Sequence, residues 1–158
     1  MRFLFVIFMF NLKNHYYERN FNVTKPNQVW CTDITEFKVG YDKIYLSPII
    51  DLYNEEIIAY DLSEHPTMYQ IWNMMDQAYS KLNPDDKPIL HSDQGWQYQQ
   101  KNFQKDLKEH NIKQSMSRKG NCLDNSCAEN FFGLLKSELL YLQEFKSIEH
   151  FKKELIEY

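Results

Sequence analysis

Apolar positions along this chain follow two periods in succession, first the short period of strands and then a mixture of strand and helix periods. Val29–Phe37, Lys43–Leu52 and Glu56–Leu62 are short apolar runs separated by the turn residues Val39-Gly-Tyr-Asp42 and Asn54-Glu55, which predicts three antiparallel strands in a meander. Pro48 lacks an N–H for the ladder, so a bulge or irregularity is expected there. Helical spacing takes over from Thr67 to Lys81, with Met68, Ile71, Met74, Met75, Ala78 and Leu82 on the buried side and Asn83-Pro-Asp-Asp86 as the stop. Pro88–Ser92 reads as a short buried strand, Tyr98–Lys108 as a helix and Ile112–Ser117 as a last strand. A polar loop leads into a helix whose apolar stripe is Ala128, Phe131, Leu135, Leu139 and Leu142, and a final helix starts at Ile148. Asp124, Asn125 or Ser126 can cap the Glu129 helix. The order βββαβαβα specifies an α/β protein with a five-stranded mixed sheet flanked by helices.

Composition narrows this picture. A chain of 158 residues, 43% hydrophobic and 16% aromatic, suits one packed domain, and four Gly and five Pro leave no room for a flexible linker. Residues 1–25 read as an irregular lead-in and 26–158 as the core domain, its C-terminal end cut short. The apolar run Met1–Phe10 is shorter than the roughly 20 residues a bilayer span requires, and Asn11–Tyr17 has no small-residue cleavage site. That run is expected to be a truncated or out-of-frame start, with a packing strand as the alternative, and no membrane partner is expected. Cys31, Cys122 and Cys127 are odd in number and contain no Cys-x-x-Cys pair, which points to a reducing compartment and to packing thiols, not zinc ligands joined by His91.

The net charge of −4 weighs against a nucleic-acid partner. Locally the balance changes, because Lys105, Lys108, Lys113, Arg118, Lys119 and Lys136 gather in the later part of the chain, and a positive rim beside an acidic site is expected. Glu129 lies off the apolar stripe of its helix. Lys136, seven residues on, is about 20° away from it around the helix, and Asn125 is one turn before it. For one Glu and one Lys a solvated face is the ordinary reading. Two more carboxylates alter it: Asp33 in Val29-Trp-Cys-Thr-Asp-Ile-Thr-Glu-Phe37 and Asp93 in Pro88-Ile-Leu-His-Ser-Asp-Gln-Gly95, each at or near the end of a strand-like run.

Trp30-Cys-Thr-Asp-Ile-Thr35, His91-Ser-Asp-Gln-Gly95 with Tyr98, Ser115–Cys122, and Asp124-Asn125 followed by Glu129-Asn-Phe-Phe132, Lys136 and Glu138 resemble a known family. It is the catalytic core of bacterial insertion-sequence transposases of the second-frame OrfB type, a retroviral-integrase-like DDE domain. Asp93 and Glu129 are separated by thirty-five residues and Lys136 follows seven positions later, as in that family. The resemblance implies a ribonuclease-H-like fold on which Asp33, Asp93 and Glu129 converge as catalytic residues and metal ligands. It also implies two Mg²⁺ or Mn²⁺ ions, with Asp33 bridging them. The expected activity is DNA strand cleavage and strand transfer on element ends and target, by a homo-oligomer in the bacterial cytoplasm. Lys136, Asn125, Arg118 and Lys119 are the expected DNA contacts. In relatives a helix-turn-helix-type segment that recognises the element ends precedes this region.

The chemistry agrees with that implication. Converging carboxylates repel, and a divalent cation with oxygen ligands removes the conflict. Two ions suit an in-line phosphoryl displacement by water or by a DNA 3′-hydroxyl. Asp51, Asp61 and Asp124 are decoys outside the family pattern; His91 reads as structural, and Trp96 and Tyr98 as either base-stacking or core residues. Two other readings remain at this level. One is a ribonuclease-H-type nuclease. The other is an inactive truncated remnant that binds nucleic acid or multimerises without catalysis.

Overall fold

The structure, a computed structural model, describes residues 23–117 and 126–158, with Ser126 described in its backbone only. Most of the lead-in and the sites expected at Arg118, Lys119 and Asn125 lie outside the described residues, as does the capping role of Asp124. The described strands are β1 (Val29–Thr32), β2 (Thr35–Val39), β3 (Asp42–Asp51), β4 (Ile57–Ser63), β5 (Ile89–Ser92) and β6 (Lys113–Met116). The described helices are α1 (Met68–Tyr79), α2 (Lys101–Glu109), α3 (Ser126–Leu135) and α4 (Ile148–Glu157). None of the described helices is long and apolar enough to cross a membrane.

Six strands replace the expected five because the first is interrupted. Thr32 pairs with Ile49 and Thr35 with Leu46, so β1 and β2 hold one register against β3 while Asp33 and Ile34 stand opposite Pro48 and Ser47. Pro48 offers no N–H at this point. The Ile34 N–H turns instead to the side chain before it, donating to Asp33 Oδ1 at 2.7 Å. Asp33 is therefore delivered by the gap and not by the middle of a strand. Pro48 also neighbours the irregularity predicted from its ring, a register shift between Ile49 and Ile50 in the pairing with β4.

Counting β1 and β2 together, the sheet runs β4, β3, β1, β5, β6, with β1–β5 and β5–β6 parallel and the other pairs antiparallel. Both faces are covered. Trp30, Ile49 and Leu90 pack with Ile71, Met74 and Met75 of α1 and with Phe103 and Leu107 of α2. Cys31, Phe37, Ile44 and Leu46 pack with Ala128, Phe132 and Leu135 of α3 and with Ile148 and Phe151 of α4. Successive residues of a strand face opposite sides, which is why β1 is buried throughout.

Helix boundaries follow local chemistry. Ser147 caps α4 by accepting the His150 N–H at 3.1 Å. Tyr98 lies in a turn before α2, where its N–H donates to the Gly95 carbonyl at 3.1 Å, so that helix begins later than its apolar pattern suggested. The largest departure is in the Glu129 helix, which passes from α3 into a π-turn over Lys136–Leu140. The buried stripe is Ala128, Phe132, Leu135 and Leu139, with Phe131 half-buried and Leu142 73% exposed. The wider π-turn puts an extra residue into the repeat, and the helix ends before Leu142, so the 3.6-residue period cannot be carried that far.

Candidate active site

Register places Asp33 on the sheet face that carries Cys31, Thr35, Phe37 and Val39, the face against which α3 packs. The carboxyl is half-buried, and loss of water around it pushes its pKa up to about 6. The Ile34 N–H works in the opposite direction, while the charges of Asp93 and Glu129 add to the rise. All three predicted carboxylates thus share one electrostatic field.

Asp93 emerges from the end of β5, in parallel register with β1 through Cys31 opposite His91. Its Oδ1 accepts the Gly95 N–H at 2.8 Å, an Asx-type turn that fixes the carboxylate, and Ser92 Oγ donates to the Asp93 carbonyl at 2.9 Å. A Cβ at Gly95 would stand 2.9 Å from Asp93 Oδ1 and 3.3 Å from Gln97 Oε1, so only glycine fits there without displacing the carboxylate. Glu129 is exposed in the first turn of α3, where the helix dipole favours a negative charge.

The alignment of α3 with the first strand emerges from three pairs. Cys127 packs in the same buried cluster as Cys31, the charge of Glu129 bears on Asp33, and Lys136 Nζ lies 5.7 Å from the centre of the Phe37 ring. Advancing along the helix advances along the strand. Among the described residues no three His, Cys, Asp or Glu are drawn together tightly enough to hold a metal ion. The donor chemistry nevertheless fits one: three carboxylates, all oxygen donors, one of them protonating more readily first because it is partly buried and then because its neighbours are negative.

Residues 23–122 match the family described as "Integrase core domain", and residues 129–158 match a second family of the same description. The chain belongs to the integrase core family. InsK, the transposase named for insertion sequence element IS150 of Escherichia coli (strain K12), is 59% identical over 141 residues, which cover 89% of this chain and 50% of that protein. This integrase core spans about half the length of that curated relative. Among solved structures it is similar to the catalytic domain of Mos1 mariner transposase, with a TM-score of 0.70 at 18% identity, covering 94% of this chain and 76% of that one. It is also similar to the HTLV-2 integrase catalytic core domain solved with magnesium, with a TM-score of 0.57 at 24% identity, covering 82% and 83%. These two likenesses show the ribonuclease-H-like fold.

Within this integrase core, other predicted residues separate by position. Lys113 begins β6 level with Ile89, at the far end of β5 from Asp93, and Lys105 is 3.5 Å from Glu109. The expected rim therefore does not form from Lys105 and Lys113. Ser117 is level with the Asp93 end, its N–H donating to Ser92, and Arg118 and Lys119 follow it directly in sequence. Tyr98 is buried, its hydroxyl 3.5 Å from Thr32 Oγ1, and so is a core residue; Trp96 is 53% exposed. His91 is buried with Nδ1 3.0 Å from Ser115 Oγ, as a structural histidine would be. Asp51 holds the chain instead of substrate, accepting the Asn27 and Tyr53 N–H groups.

Sequence reasoning missed the placing of Cys31 and Cys127 in one core cluster and the burial of Gln70, whose amide donates to the carbonyls of Tyr45 and Asp61. The first had a visible signal, since each cysteine stands two residues before a predicted carboxylate. The second had none.

Proposed function

We propose that this chain is the catalytic core of a transposase that cleaves a DNA strand and joins its 3′-hydroxyl to target DNA, with Asp33, Asp93 and Glu129 as the catalytic and metal-binding carboxylates. The observation that carries the reading is the raised pKa of Asp33, caused by its burial and by the other two charges. A site that concentrates negative charge on oxygen donors is stable with a cation present and strained without one. Mg²⁺, present in the HTLV-2 integrase core, or Mn²⁺ is the expected ion, and two ions the expected number. Bound between the carboxylates, such ions supply Lewis acidity to both the entering and leaving oxygens of a phosphoryl displacement.

The chain's own residues hold and orient. Asp33, fixed by the Ile34 N–H, and Asp93, fixed by the Gly95 N–H, present carboxylates from adjacent parallel strands. Glu129 closes from α3. Lys136 serves as a phosphate contact, with Asn125, Arg118 and Lys119 as further DNA contacts. The nucleophile is water for cleavage and the DNA 3′-hydroxyl for transfer, so no covalent protein intermediate forms. Paired DNA ends call for a homo-oligomer, and a bacterial cytoplasm supplies the DNA.

The test is Mg²⁺- or Mn²⁺-dependent nicking and strand transfer on a labelled element end by wild type, Asp93→Asn and Glu129→Gln. Activity in the wild type and at least about a hundredfold loss in each variant is the expected result, the scale of removing an electrostatic contributor to a transition state. Wild-type activity that survives either substitution would remove that carboxylate from the site.

A further inference from the structure

The sheet face that packs on α3 and α4 is left partly open. Between β3 and β4 on one side and the two helices on the other lies an apolar cleft of about 390 Å³, walled by Ile50, Ile57, Phe131, Leu134 and Leu155. Ile156, which also lines it, is 60% exposed. A continuous apolar surface of this kind marks a place where something docks. Glu55 is the single charged residue among those lining the cleft.

The same sequence carries a complementary segment. Nine of the ten residues Met1–Phe10 are apolar, and Arg2 is the exception. The entry of the chain into β1 adjoins the cleft. Asn27 N–H donates to Asp51 Oδ2 at 2.6 Å; Asp51 follows Ile50, and its own N–H donates at 2.9 Å to the carbonyl of Glu56, which stands between Glu55 and Ile57. Val23, the first described residue, is four positions before Asn27, and the twelve residues Asn11–Asn22 join it to the apolar run. Twelve residues reach at most about 40 Å, ample for a return to a cleft that adjoins the entry point. A tether of that length gives segment and cleft an effective concentration on the order of millimolar, which favours the chain's own run over a second copy in dilute solution.

We propose that the cleft is the seat of the chain's own Met1–Phe10 run, its apolar side chains between the β3–β4 wall and the two helices and Arg2 toward Glu55. Seated there, the run ties α3 and α4 to the outer strands of the sheet, on the face that also carries Asp33. The inference stands on the cleft and the run and does not depend on the catalytic reading.

The experiment installs the photocrosslinker p-benzoylphenylalanine in place of Phe5 and, in a second preparation, of Phe8 in the full chain, irradiates it in dilute solution and maps the products by mass spectrometry. The expected result is cross-linking within one chain to Ile57, Leu134 or Leu155 from at least one of the two positions. Ile156→Asp, a change at an exposed residue whose retained fold circular dichroism checks, should reduce the yield several-fold. Glu55→Arg should lower it too, and Arg2→Glu added to Glu55→Arg should restore it. Cross-links joining two chains would give the cleft to a second copy and overturn the proposal. Cross-links only to residues away from the cleft, none from either position, or a yield untouched by both Ile156→Asp and Glu55→Arg would overturn it equally.

Discussion

Asp33 is held in a place that disfavours its own charge. A carboxyl whose folded pKa is about 6, against an ordinary value of 3.8, binds more protons folded than unfolded between those values. Stability of the metal-free protein is therefore expected to fall as pH rises from about 4 to about 6, and to show no further loss from this group above that. Asp33→Asn removes the charge with little change of shape, so at pH 7.5 in a chelator it should stabilise by about 1–2 kcal/mol after allowance for solvent screening. Thermal unfolding across this pH range checks both statements, and a variant less stable than wild type at pH 7.5 would refute the account of Asp33. Gly95→Ala makes the complementary case. Its added methyl meets Asp93 Oδ1, so thermal stability should decline by about 1–3 kcal/mol, the usual cost of overpacking, and DNA nicking should decline with it. Calorimetry with the nicking assay reads the pair. Motif spacing in the sequence is what nominates the three candidate carboxylates; the gap that delivers Asp33 was not legible there, since it depends on Pro48 across the ladder.

At the level of elements, the strands and helices were legible where one period governed one segment. The meander, α1 and the late helices follow from apolar spacing and from turn residues such as Gly40, which adopts a φ of 62°. The same logic failed at the end of α3, where a π-turn changes the period in mid-segment. Earlier in α3 the buried stripe runs through Phe132 where the apolar spacing places Phe131, which makes a sharp prediction about two adjacent aromatics. Phe132, buried in the core with Leu135 and Leu139, should cost about 3–5 kcal/mol when replaced by alanine. Phe131, half-buried at the rim of the apolar cleft, should cost clearly less. Urea unfolding of the two variants decides it, and equal losses would mean that the helix is rotated from the orientation described.

For the whole molecule, the sheet brings together charges that the chain could have kept apart, and its cohesion is limited by that choice. β1 and β5 are adjacent and parallel, α3 lies along the first strand, and the packing on both faces that secures these elements also forces Asp33, Asp93 and Glu129 into one field. A ligand that binds only the folded chain stabilises it by mass action, about 2.7 kcal/mol at a hundred times its dissociation constant. For a chain of this length that is roughly 5–10 °C in melting temperature. Mg²⁺ or Mn²⁺ at saturating concentration should therefore raise the melting point of wild type by that order. The gain should largely vanish in Asp93→Asn and Glu129→Gln, although neither substitution removes a core contact. Screening by salt is separated by matching ionic strength with NaCl, which shields surface charges as well but offers no oxygen-seeking divalent ion. If NaCl reproduced the whole shift, or if the variants retained it, the three carboxylates would be neighbours by packing alone and the proposed metal centre would have to be abandoned.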